Sequence, residues 1–298
     1  MSTLTGCLRL LRWPGALTAA ANAVTGFLLV RVSGGEGTRF AAAAIAVSAV
    51  LVYLGGVALN DACDAERDRE LHPGRPIPAG DVSRATAITL GLSLLVTGPL
   101  LALVVAGPAA GAAMGAAALC ALLYDIGGKR WRVPGSLLMG GARASNAAAG
   151  MLASALSVDV ALNAPGPGAL AYPIAVGGYT VLLTFASTFE GRRPTAFLAG
   201  GLALILVLPA ALAWPLFAAP WWWAPALPLF ALAATLVSGA RDAQIPNGPG
   251  LGALIRRAVF GFLLVDAAWL MGAKWYDAGF WLILVYVGLR FLLARLRS

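Results

Sequence analysis

Charge is what this chain has least of: Asp, Glu, Lys and Arg together make up 11% of its 298 residues, where a soluble domain carries about a quarter. A water-facing surface cannot be built from so few charged side chains. Histidine occurs once, as His72. That argues against histidine-rich metal clusters and Ser-His-Asp triads, and points to a carboxylate, a Tyr or a Lys as any general base. The three cysteines, Cys7, Cys63 and Cys120, have neither CxxC spacing nor an even count, so neither a disulfide framework nor a zinc site is indicated. Alternating apolar and polar residues are missing as well, which excludes a membrane barrel.

What the chain does have is apolar length. Hydrophobic residues make up 60%, in runs of about 20 residues, the length that crosses a hydrocarbon core of roughly 30 Å. Lipid must be the solvent, and without water to satisfy backbone groups the expected fold is an all-α polytopic bundle of transmembrane helices. Ten runs stand out, near 14–31, 40–60, 85–105, 108–126, 135–155, 169–188, 195–218, 221–238, 254–272 and 277–294. The first follows Arg9 and Arg12 with no small-residue cleavage site ahead of a soluble stretch, so it is expected to remain as the first span. The whole chain, 1–298, reads as one membrane domain.

The net charge of +8 would suit nucleic acid if it formed one soluble basic face. Instead the cations fall in short clusters between apolar runs, so no nucleic-acid partner is expected. Ten spans put 18 of the 21 Lys and Arg on one side and leave Arg31, Arg39 and Lys274 opposite. By the positive-inside rule the charged face is cytoplasmic, and the chain is expected in the cytoplasmic (inner) membrane with its active site facing the cytoplasm.

Acid is scarce, yet six of the 13 carboxylates, Asp61, Asp64, Glu66, Asp68, Glu70 and Asp81, lie within 21 positions after the second run. Asn60, Asp64 and Asp68 recur at intervals of four. A helix continuing through Asp68 would bring these three and Asp61 onto one stripe. Two carboxylates about 6 Å apart repel by roughly 3 kcal/mol at an effective dielectric near 20, so such a stripe needs a cation. Oxygen donors without His or Cys suit Mg²⁺, which completes its shell with water and substrate phosphates. Cations that would grip a phosphate lie on the same face: Arg75 in Arg75-Pro76-Ile77-Pro78, Lys129 and Arg130 after Tyr124-Asp125, and Arg192-Arg193 after Glu190. The bland alternative is that the cations only mark topology and pair with the acids at the surface, although topology does not require this acid register. Asp266, near the middle of the ninth run, must face the bundle because a lipid-facing acid costs about 2.5 to 3.5 kcal/mol. It is either a hydrogen-bonded structural group or a cavity group.

The stretch Asn60-Asp61-Ala-Cys-Asp64-Ala-Glu-Arg-Asp68 with Arg75-Pro76-Ile77-Pro78-Ala-Gly80 resembles the first aspartate-rich motif of the UbiA superfamily of intramembrane prenyltransferases. Arg12-Trp13-Pro14 through Asn22 to Gly26 resembles its first helix, Tyr124-Asp125 with Lys129-Arg130 its fourth-to-fifth loop, and Arg143 through Asn146 to Gly150 its fifth helix. The resemblance implies nine to ten spans around a central cavity. It implies Mg-dependent transfer of an isoprenyl group from an allylic isoprenyl diphosphate to an aromatic or other lipophilic acceptor, with membrane lipid around the tail. Asp64, Asp68, Lys129 and Glu190 are then the catalytic candidates. Asn60, Asp61, Asp64, Asp68 and Glu190 are the metal ligands. Asn22, Arg75, Tyr124, Arg130, Arg143, Asn146 and Arg192 surround the substrate, with Arg143 paired either to the diphosphate or to Asp64. The family's second acidic motif usually holds paired Asp, and here a single Glu190 stands in its place. That departure, together with the Arg75-Pro76-Ile77-Pro78 spacing, is closest in pattern to the EboC-like branch. It keeps two alternatives open: a non-catalytic relative that binds or carries a prenyl-type metabolite, and a terpene cyclase of the same fold.

Overall fold

The computed structural model describes residues 7, 10–11, 13–32, 37–155, 171–189, 196–211, 223–245 and 250–295. Every regular element among these is helical: α1 (Ala16–Val32), α2 (Arg39–Cys63), α3 (Ala65–Leu71), α4 (Arg84–Ala106), α5 (Pro108–Ile126), α6 (Arg132–Ser154), α7 (Ala171–Ser187), α8 (Ala196–Ala211), α9 (Ala226–Asp242), α10 (Leu251–Gly272) and α11 (Tyr276–Arg295). Each of the ten expected spans coincides with a helix, and the short α3 is additional. The expected seventh and eighth spans extend over 212–222, outside the described residues.

Local chemistry sets several of the ends. Thr38 and Ser83 occupy the N-caps of α2 and α4, their hydroxyls accepting from the backbone N–H of Ala41 at 3.1 Å and of Thr86 at 3.0 Å, which satisfies donors a helix start leaves open. Gly107, at φ +99°, makes the tight turn into α5, and Pro108 then occupies the first helical position, where its missing N–H costs nothing.

Three described helices, α2, α4 and α5, are long and apolar enough to cross a membrane on length and composition alone. The outward faces are apolar. Val96, Leu100 and Val104 of α4, Phe230 of α9 and Trp281 of α11 are all exposed, the reverse of a water-soluble surface. The fold is a polytopic transmembrane helical bundle.

Inside, among the described residues, the two larger of three buried apolar clusters share α1 and α6. One joins those two helices to α2, α4 and α5 through small residues such as Ala23, Ala49, Ala110 and Ala149. The other joins them to α7 through α11 around Tyr172, Tyr179, Leu232, Phe262 and Trp269. The α1–α6 seam is close enough that a Cβ on Gly150 would collide with the carbonyl of Ala23, and one on Gly26 with that of Ala147. Small residues at such crossings are how membrane helices gain packing contact.

Candidate active site

A cavity of about 280 Å³ opens inside the first core, between α1, α2, α5 and α6. Its walls are mostly Ala, Val and Met. Tyr53, Asn60, Tyr124, Asp125, Arg143 and Asn146 supply the polar groups. Tyr53 and Asn60 are two turns apart on α2, so the cavity runs at least about 10 Å along the bundle axis.

At the Asn60 end lies the acid-rich segment, and here one expectation is corrected. The helix does not run unbroken through Asp68. It ends at Cys63, and Asp64, at φ −88° and ψ 1°, separates α2 from α3. The four-residue hydrogen-bond register nevertheless persists: the N–H of Asp64 donates to Asn60 O at 2.9 Å, that of Asp68 to Asp64 O at 2.8 Å and that of His72 to Asp68 O at 2.8 Å. The acids therefore stay on one side but divide into two groups, each with its own cation. Lys129 Nζ lies 2.7 Å from Asp64 Oδ1, 3.2 Å from Asn60 Oδ1 and 4.0 Å from Asp125 Oδ1. Arg75 pairs with Asp68 and lies 3.6 Å from Asp61. The division relieves the repulsion of a single acid stripe.

Lys129 reaches this point because the chain turns sharply out of α5. Gly127 and the 3-10 turn Gly128–Arg130 fold the segment back against the start of α6. The same turn leaves the neighbouring Arg130 exposed, and among the described residues it has no ion-pair partner. Asp125, one helical turn before Lys129, is 4% exposed, and its Oδ1 has no hydrogen-bond donor among the described residues.

Among the described residues no three Asp, Glu, His or Cys side chains converge tightly enough to cage a metal ion. The oxygens of Asn60, Asp64 and Asp125 do face one position, where the lysine ammonium stands. A donor set of two carboxylates and an amide, all oxygen, fits a hard cation that takes its remaining ligands from water and substrate phosphate. It does not fit a closed all-protein site.

At the Tyr53 end Arg143 enters the cavity wall. Of the two partners expected for it, the diphosphate or Asp64, Asp64 is taken by Lys129. Arg143 instead donates to Asn22 Oδ1 and to Thr18 Oγ1, each at 2.8 Å. Its guanidinium stacks on Phe262 at 4.5 Å and Tyr53 at 5.6 Å. Asn22 Nδ2 donates to both oxygens of Asp266 at 2.8 Å, and Tyr172 OH donates to Asp266 Oδ1 at 2.7 Å. Asn146 Nδ2 donates to the carbonyl of Ala19 at 2.9 Å, a bond between α6 and α1.

The structure thus brings Asn60, Asp64 and Lys129 together, joins Asp61, Asp68 and Arg75 beside them, and lines one cavity with Asn60, Tyr124, Arg143 and Asn146. Glu190 and Arg192 lie outside the described residues, and with them the single Glu that was one of the two features suggesting the EboC-like branch. Thr18, Tyr53 and Tyr172 were missed, since a hydroxyl in an apolar run carries no spacing signal. Asp125 had one: its position four residues before Lys129.

Comparison with known proteins bears on the family and the fold. A model of the UbiA prenyltransferase family matches residues 19–249. The chain belongs to the UbiA prenyltransferase family. Digeranylgeranylglyceryl phosphate synthase of Ignicoccus hospitalis is 38% identical over 148 residues, 50% of this chain and 47% of that protein. The enzyme of the same name from Metallosphaera sedula is 37% identical over 94 residues, 32% of each chain. The chain therefore spans less than half the length of the curated relatives it matches. Among solved structures, a UbiA homolog from Archaeoglobus fulgidus bound to GPP and Mg²⁺ superposes with a TM-score of 0.60 at 16% identity, over 93% of this chain and 99% of that one. The apo UbiA homolog from Aeropyrum pernix K1 reaches 0.66 at 18% identity, over 88% and 99%. At these identities the likeness establishes the fold.

Proposed function

We propose that the chain transfers an isoprenyl group from an allylic isoprenyl diphosphate to a lipophilic acceptor within the membrane, with Mg²⁺ at the acid-rich rim. The observation that carries this reading is the meeting of Asn60, Asp64, Asp125 and Lys129 at one end of an otherwise apolar cavity. The names of the relatives and the GPP and Mg²⁺ bound in a protein of the same fold support it.

Bound Mg²⁺ would draw charge from the diphosphate oxygens as the leaving group departs. Asp64 and Asn60 would hold it together with Asp125, and Asp61 and Asp68 would complete the rim beside Arg75. Glu190 is the further ligand implied by the resemblance. Lys129 would then serve the leaving group, and Arg75, Arg130, Arg192 and Arg143 would supply donors that strengthen as negative charge develops there, the kind of stabilisation that is largest in a water-poor site. The apolar walls of Ala, Val and Met keep water from the allylic carbon, and the ring of Tyr53 faces the interior. Tyr124 and Asn146 would orient the substrate between the two ends. The acceptor supplies the electron pair for the new carbon bond, and its displaced proton leaves with the pyrophosphate or water. The placement of the cations supports a rim on the cytoplasmic face of the inner membrane.

The test is release of pyrophosphate by purified protein from C5 to C20 allylic diphosphates, with Mg²⁺ and with or without phenolic or lipid-alcohol acceptors. Release that requires Mg²⁺ and an acceptor is the expected result. Release without an acceptor would reassign the chain as a cyclase, and no release from any of these substrates would end the catalytic reading.

A further inference from the structure

Asp266 is the most deeply buried carboxylate described, fully excluded from solvent at 0% exposure. It sits on α10, a helix that contributes no residue to the cavity wall, and it lies beyond the stretch the family model matches. A carboxylate this far from water is costly unless its oxygens are hydrogen-bonded. Its contacts show what it does. Each of its oxygens accepts from Asn22 Nδ2, and Oδ1 also accepts from Tyr172 OH. A carboxylate can only accept, so the amide of Asn22 must turn its NH₂ toward α10 and its carbonyl the opposite way. That carbonyl receives Arg143 Nη1. Thr18 completes the pattern, its hydroxyl donating to Gly15 O at 2.7 Å and so presenting a lone pair to Arg143 Nη2.

The helix that holds Asp266 also holds Arg143 directly. Phe262, one turn earlier on α10, stacks on the guanidinium at 4.5 Å. Two side chains of one helix face thus fix the same cation, one by its ring and one through Asn22. Two of the five guanidinium N–H groups are engaged by side chains, and the residue lines the cavity. The remaining donors are available to an anion entering it.

We infer that Asp266 is a positioning residue of the site: through Asn22 it orients Arg143 so that unspent guanidinium donors face the cavity and meet the anionic part of the substrate. This rests on the proposed diphosphate-binding role of the cavity. It assigns to α10 and α7, which lie outside the cavity wall, a part in substrate affinity.

The test is a double-mutant cycle on the purified full chain with Mg²⁺, reading the dissociation constant of geranyl S-thiolodiphosphate, a diphosphate that resists ionisation. Asp266→Asn keeps the shape but removes the charge and lets the side chain donate to Asn22, so the amide is no longer forced one way. It is expected to weaken binding about tenfold, the equivalent of 1.4 kcal/mol, and to lower kcat at saturation as well, because Arg143 also meets the charge that develops on the leaving group, with the unfolding temperature unchanged. Arg143→Met is expected to weaken binding by at least as much, and Asp266→Asn in that background to add less than about twofold. Losses that multiply independently, or wild-type affinity in Asp266→Asn, overturn the inference. If Asp266→Asn does not fold, Tyr172→Phe carries the cycle, because it removes a donor from the same carboxylate and keeps the charge; a loss of about threefold that vanishes beside Arg143→Met supports the inference, and a loss that persists overturns it. Coupling without pyrophosphate release from wild type would sink the proposed reaction and keep this network, additive losses in an active enzyme would do the reverse, and a wild type that neither binds the probe nor releases pyrophosphate from any of the C5 to C20 diphosphates overturns both.

Discussion

Lys129 stands where three oxygens of Asn60, Asp64 and Asp125 meet, so under the proposed reaction its replacement would act on both the rim and the leaving group. Lys129→Met is expected to lower kcat for pyrophosphate release by about 100-fold or more, the loss typical of a group that stabilises developing charge; steady-state kinetics with saturating Mg²⁺ and diphosphate checks it. Asp125→Asn keeps the size of a buried side chain and removes one negative charge from the rim. The Mg²⁺ concentration for half-maximal rate is expected to rise about 10- to 100-fold, the range seen when supporting groups of a metal site are changed. A metal titration of the variant reads it, and an unchanged midpoint would remove Asp125 from the rim. The candidate rim was partly legible in the residue order. The spacing of Asn60, Asp61, Asp64 and Asp68 put these residues on one side, but a period alone does not say which acid pairs with which base. Lys129 and Arg75 divide the acids because of where two loops fold, which no local pattern records.

At the scale of elements, the α1–α6 seam matters most, because α1 carries Asn22 and Thr18 while α6 carries Arg143 and Asn146. Gly150 allows the two backbones to touch, and a methyl group there would meet the carbonyl of Ala23. Gly150→Ala is expected to separate the helices, lengthen the Arg143–Asn22 and Asn146–Ala19 bonds and lower the unfolding temperature in detergent by several degrees; thermal unfolding followed by circular dichroism checks the outcome. Gly115, where an added Cβ meets nothing within 4 Å, serves as the control: Gly115→Ala should leave the temperature unchanged or raise it slightly. The helices themselves followed from runs of apolar residues. Their crossings did not, since Gly and Ala are frequent in every span and only the packed structure distinguishes the Gly at a crossing from the Gly facing open space. The break at Asp64 is of the same kind: the i, i+4 register survives it, so the residue pattern looks continuous where the helix is not.

For the whole molecule, the arrangement places a charged rim at one end and aromatic and aliphatic side chains against lipid. Cys63, exposed at the rim end of α2, provides a marker of orientation. A membrane-impermeant thiol reagent should label it in inside-out inner-membrane vesicles and not in right-side-out ones, with Mg²⁺ and a prenyl diphosphate analogue slowing the reaction; labelling only from the opposite side would reverse the assigned topology. Composition and run length were enough to determine a helical membrane protein, because the bilayer demands internal backbone hydrogen bonding and about 20 apolar residues per crossing whatever the tertiary fold. The acid register was enough to point to one rim, because a backbone bonded every four residues brings such side chains to one side. What only the tertiary structure decided is how the cations are shared and how the far end of the cavity is built. Asn22, Arg143, Tyr172 and Asp266 come from four helices up to 244 positions apart in sequence, and hydrogen-bond polarity across helix interfaces is a property of the packed bundle that no single segment carries.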